Sequence, residues 1–92
     1  MTEEQKLIIL KKDLQMITAS NDEYLKVLLQ HGAAAIEREG ITLQDDIECS
    51  MAVIHYAAYL FRKRNGTDTA MPRYLRYELN NLLFHQAAEE TT

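Results

Sequence analysis

The sequence is short of the residues that staple or interrupt a chain: it has one cysteine, one proline and three glycines. Cys49 has no partner for an internal disulfide and sits in neither a CxxC nor a histidine-ligand spacing. That fits a reducing compartment and a small apolar side chain in the interior. With so few glycines there is no glycine-rich phosphate loop. No GxSxG occurs, nor a strand to carry one. Internal repeats and low-complexity tracts are missing too. The longest apolar run, Met51 to Phe61, covers 11 residues and contains His55, against the ~20 needed to cross a bilayer. The opening MTEEQKL is polar and acidic, unlike a signal peptide. Positive charge is not in excess either: the net charge is −4 and the pI about 5.3. A chain whose main work is to grip nucleic acid needs a positive footprint. The expectation is a soluble intracellular chain with no metal and no cofactor.

What is present is an ordinary globular composition, 47% apolar and 26% charged. Residues 1–92 form one domain, with a polar tail over 87–92. A chain of this length buries only somewhat more than ~60% of its unfolded surface, so partners that cover more of it would help it. Four helical segments can be read. The first runs from Glu3 to about Met16, with Leu7, Leu10, Leu14 and Ile17 on one side. The second starts at a Ser20-Asn21-Asp22-Glu23 capping box. It continues through Leu25, Leu28, Leu29, Gly32, Ala35 and Ile36, and stops at Gly40, suited to a left-handed cap. Gly32 costs about 1 kcal/mol relative to alanine inside a helix, which suggests that another backbone comes close there.

The third helix begins near Thr42, where Thr42 to Asp45 is a weaker capping pattern. Ile47, Met51, Ile54, Ala58 and Phe61 form one apolar stripe, and Val53, Tyr56 and Leu60 a second. Little polar face is left, as in a central helix. Arg62, Lys63 and Arg64 complement its negative end, and Gly66 terminates it. After the turn-like NGTDTAM, Pro72 sets the first turn of the fourth helix, which carries Leu75, Leu79, Leu82 and Leu83. The fold class is all-α, a small bundle of four helices with a long, central, largely buried third helix. The expected core is Leu25, Leu28, Ile36, Ile47, Met51, Ile54, Ala58, Phe61, Leu75 and Leu79.

No catalytic constellation stands out. His31, His55 and His85 lie on different helices, and Asp45, Asp46 and Glu48 beside Cys49 read as a solvated first turn on a helix dipole. The charge distribution says more. Five of the ten basic residues, Arg62, Lys63, Arg64, Arg73 and Arg76, fall within one stretch whose only acid is Asp68. Five acids, Glu37, Glu39, Asp45, Asp46 and Glu48, cluster at the other end of the third helix, roughly 25–30 Å away. Helix-dipole complementarity and solubility account for this most simply. The other reading is head-to-tail docking of one copy on the next, closing into a ring. Tyr56, Tyr59, Phe61, Tyr74 and Tyr77 fit a protein interface better than a base-stacking platform.

One order of motifs is familiar. Asp22-Glu23-Tyr24-Leu25-Lys26-Val27-Leu28-Leu29 leads into the small residues Gly32 to Ala35. A long apolar helix closes on Leu60-Phe61-Arg62-Lys63-Arg64. A Met71-Pro72 step then opens a leucine-rich helix, Leu75 to Leu83. From about Leu7 to Leu83 the chain resembles the small head-tail connector proteins of tailed bacteriophages and prophages, also called head-completion or DNA-packaging adaptor proteins. Leu60, Phe61, Arg64 and Pro72 are the matching positions; His85 and the acidic tail stand where family members carry a closing basic residue. The resemblance implies a structural subunit of the virion or the host bacterial cytoplasm, assembling into a homo-oligomeric ring beneath the portal protein. Such a ring joins the portal to tail-completion proteins and lets DNA pass non-specifically. It implies no enzyme activity, cofactor, membrane or small-molecule substrate. The ten charged residues above would then make intersubunit or portal contacts. The alternative is a small helical nucleic-acid-binding regulator using the basic corner with Tyr74 and Tyr77.

Overall fold

The computed structural model describes residues 1–66 and 70–90, with no side-chain description for the last two. Four helices account for it: α1 (Glu3–Asp13), α2 (Asp22–Arg38), α3 (Ile47–Arg64) and α4 (Arg73–Glu90). Among the described residues there is no strand. Asp68 in the connecting loop, and the end of the polar tail at 91–92, lie outside the described residues. The rest of that tail is helical, since α4 continues through Glu90.

Helix ends depart from the sequence expectation at several places. At α1, Thr2 and Gln5 form a capping box: the Gln5 amide donates to Thr2 Oγ1 at 3.1 Å, and the Thr2 amide to Gln5 Oε1 at 2.9 Å. The helix ends at Asp13, earlier than its apolar repeat suggested. Gln15 takes a left-handed φ of 59°, its amide bonds the Lys12 carbonyl, and the Met16 amide bonds that of Lys11. This closes a Schellman turn and turns Ile17 out to 96% exposure. At α2 the expected Ser20 box does not form. Asn21 occupies the cap position with no side-chain bond, and the Ser20 hydroxyl lies 3.0 Å from that of Thr18. Asp22 instead pairs with Lys11 at 2.9 Å, tying the end of α1 to the start of α2.

The start of α3 is also corrected. The backbone of Thr42 is held by Gln86 of α4, whose amide group accepts from Thr42 N at 2.8 Å and donates to Thr42 O at 2.7 Å. The cap is Asp46, its Oδ1 accepting from the Cys49 amide at 2.8 Å. The second helix does end as its sequence indicates, with Gly40 at φ +98° just beyond the cap Glu39.

Helix α3 is the centre of the molecule and packs on all three others; α1 also touches α2. From Cys49 to Phe61 every residue is buried or half-buried. Helix α2 lies against it most closely. A Cβ added at Gly32 would stand 3.3 Å from the Val53 carbonyl oxygen, 3.4 Å from the Ala57 nitrogen and 3.4 Å from Tyr56 Cβ. The close backbone approach expected from a mid-helix glycine is present. Leu10, Leu25, Ile36, Ile41, Ile54, Leu75 and Leu79 are the largest fully buried side chains, and Ala52, Ala57 and Ala58 let them converge on α3. Cys49 is buried as a small apolar residue, 2% exposed.

Of the expected core, Leu25, Leu28, Ile36, Ile54, Ala58, Leu75 and Leu79 are buried, and Met51 and Phe61 are half-buried against them. Ile47 is not core: it is 66% exposed. It is the first residue of α3, a turn ahead of where the neighbouring helices close over that stripe. The molecule measures 47 × 28 × 18 Å, about two helix diameters at its thinnest.

Two stability outcomes follow. Gly32→Val should lower unfolding free energy by about 2 kcal/mol or more in chemical denaturation, because its γ-carbons have no room against α3. Ile54→Ala should cost about 2–5 kcal/mol, whereas Ile47→Gln should stay within about 0.5 kcal/mol of the parent.

Candidate functional site

Two surfaces of this bundle are left open by the described residues. The first is a groove of about 590 Å³ between α3 and α4, lined by Ile47, Glu48, Met51 and His55 of α3 and by Glu78, Asn81, Leu82 and His85 of α4. A shallower recess of about 440 Å³ adjoins it, formed by Met1 and by Gln5, Ile8 and Ile9 of α1, and shares Ile47. Together they make one depression floored by the start of α3, with α1 on one side and α4 on the other. Exposed Ile8 and Ile47 give it an apolar surface.

The second surface is on α4. Leu75, Leu79 and Leu82 turn inward to α3, and the other side of the same helix carries Tyr74, Tyr77 and Phe84, 51%, 59% and 72% exposed. Spacings of three and seven place these rings on one stripe pointing away from the core. The ring of Tyr74 also meets His55 edge to face at 5.6 Å, so it borders the groove.

One ionisable pair sits inside the groove. His55 Nδ1 lies 3.0 and 3.1 Å from the two carboxylate oxygens of Glu78. That hydrogen bond, helped by the Glu78 and Asp13 charges, holds the imidazole above its ordinary 6.5 against the opposing effect of burial. The pair fastens α4 to α3 across the groove. A histidine oriented by a carboxylate resembles half of a general-base arrangement, but among the described residues no serine, threonine or cysteine lines the groove beside it. Among the described residues, no group of three or more His, Cys, Asp or Glu side chains is placed to hold a metal ion. No described helix is long and apolar enough to cross a membrane.

The ten charged residues singled out from the sequence are distributed as follows. Arg62 Nη2 lies 3.4 Å from both the Asp13 carbonyl and its carboxylate. Lys63 Nζ sits 5.8 Å from the centroid of the Tyr59 ring, and the Arg64 guanidinium 5.1 Å from that of Tyr24. Arg73 is exposed and has no partner among the described residues. Arg76 reaches Glu39 through both Nη groups and Asn80 through Nε. Asp45 takes the terminal amine of Met1 at 2.7 Å, and Asp46 caps α3. Glu37 is exposed, and Glu48 lines the groove.

The charges are therefore less separated than the sequence suggested. Arg76 and Glu39 were expected at opposite ends of α3 and meet because α4 folds back along it, carrying Arg76 toward the end of α2. The groove itself, the His55–Glu78 pair and Phe84 were not legible as a site. A second apolar repeat on α4, offset from its leucines, was the available signal for the ridge. Nothing local signals the approach of His55 and Glu78. No protein-family model, curated protein or solved structure matches this chain.

Because the folded-state value of His55 lies above 6.5, its pairing contributes fully below that pH and is lost as pH rises through the folded value. Melting temperature should therefore fall slightly between about pH 6 and pH 8. Glu78→Gln should flatten that slope and move the His55 titration, followed by NMR, back toward its ordinary midpoint.

Proposed function

We infer that this chain is a structural assembly subunit, a head-tail connector of a tailed phage or prophage. In this reading it oligomerises into a ring that joins portal to tail and lets DNA pass. The observation that carries the assembly part is the aromatic stripe of α4, turned away from a helix whose other face is fully occupied. Large apolar side chains that a monomer leaves outside, next to an apolar depression of matching kind, mark a surface meant for protein contact. Aromatic residues with flanking arginine are what interface centres favour. The phage assignment draws on the order of motifs from Leu7 to Leu83.

Charge fits the same role. A net charge of −4 suits a subunit that lines a passage without holding the DNA in it, since binding requires enough cations to displace the counterions of the phosphates. Arg64 and Lys63 lie on tyrosines of their own chain, so those rings are less available to bases. The nucleic-acid reading retains Tyr74 and Tyr77 beside Arg73, all exposed, and comes second because Arg76 is already paired with Glu39.

Sedimentation of the protein alone and with the portal protein of the same phage genome tests this. A closed oligomer, or incorporation at the portal, is expected. Arg64→Glu with Arg73→Glu should block assembly while leaving helix content intact by circular dichroism. Duplex DNA binding with a steep salt dependence, and no association between copies, would favour the regulator instead.

A further inference from the structure

The geometry points to a specific contact between copies: the α4 ridge of one chain lies in the groove beside α3 of another, with Arg73 against Glu48. This rests on the assembly reading above and names its interface. The occupant of the groove is then a second copy of this chain.

Both halves of the contact are present on one molecule. Arg73, Tyr77 and Phe84 fall within roughly 40° of one another around α4 and span about 16 Å along it. The groove runs from Ile47 to His55, about 12 Å along α3, and is lengthened at its Ile47 end by the recess under α1. A row of two rings and a guanidinium thus matches the depression in length and in apolar character.

Charge complementarity supports this pairing. Within the groove, Glu78 and His55 are bonded to each other, and His85 has an interaction of its own. Glu48 has no partner among the described residues, nor has Arg73. These two cannot reach one another within a chain. Helix α4 runs back along α3, with Glu78 opposite His55 and Gln86 beside Thr42, which places Arg73 near the level of Leu60. That is about 18 Å along α3 from Glu48. An acid in the groove and a base on the ridge, neither paired among the described residues, complete each other between copies, and such charge pairs fix the register of a contact.

Sedimentation equilibrium over a wide concentration range tests this with reversed charges. Glu48→Arg alone and Arg73→Glu alone should each weaken self-association roughly tenfold or more, with circular dichroism unchanged. An equal mixture of the two variants should restore it, because every contact between unlike variants again joins opposite charges. Association that both reversals leave untouched, or that mixing fails to restore, overturns the assigned contact while the assembly reading stands. A parent chain that stays monomeric at every concentration and beside the portal overturns both, and a basic peptide from another protein that binds the groove of that monomer assigns the groove elsewhere.

Discussion

The rest of the structure depends on how closely the backbone of α2 approaches α3 at Gly32. Even a single added Cβ there would press on the main chain of Val53 and Ala57. The alanines of α3 extend the same close packing, with Ala52, Ala57 and Ala58 fully buried. Small residues at a helix crossing let larger ones on either side, here Leu25, Leu28, Ile36 and Ile54, reach across and interlock. Helix α3 is thereby seated against α2 and α1, and its remaining side is offered to α4.

That seating explains why the open surfaces are where they are. Helices α1 and α2 touch each other as well as α3, whereas α4 has its principal helix contact with α3 alone. Its attachment is reinforced by polar links at several levels: Arg76 with Glu39, Glu78 with His55, and Gln86 with the backbone of Thr42. A helix held along one face leaves the opposite face exposed, and in α4 that face is aromatic. The depression beside it exists because no element of the described chain covers the first turns of α3 between α1 and α4. Ridge and groove are thus two consequences of one arrangement, three helices gathered on a fourth that has room for more.

Electrostatics follows the packing. Most of the basic corner is engaged inside the molecule, on Tyr24, Tyr59, Asp13 and Glu39. What reads along the chain as a cluster of five cations leaves Arg73 as the one without a partner among the described residues. The acidic set is similarly reduced, with Asp46 used as a cap and Glu39 in a salt bridge. Charges that form blocks in sequence need not form patches in space, because antiparallel helices bring distant segments level with one another.

Four helices, the centrality of α3 and most of the core were legible from the 3.6-residue repeat of apolar positions, because burial in a helix repeats with its own period. Gly32 was readable as a close approach and Gly40 as a helix stop, since both rest on what a missing Cβ permits. Which of several possible caps a helix uses was not legible: tertiary contacts accompany the shifted starts, with Gln86 on the backbone of Thr42 before α3 and Lys11 paired with Asp22 at the start of α2. The exposure of Ile47, the pairing of Arg76 with Glu39 and the meeting of His55 with Glu78 were likewise beyond the sequence. Periodicity states which face of a helix is apolar. Which apolar faces find a neighbour, and which charges find each other, depends on how the helices cross.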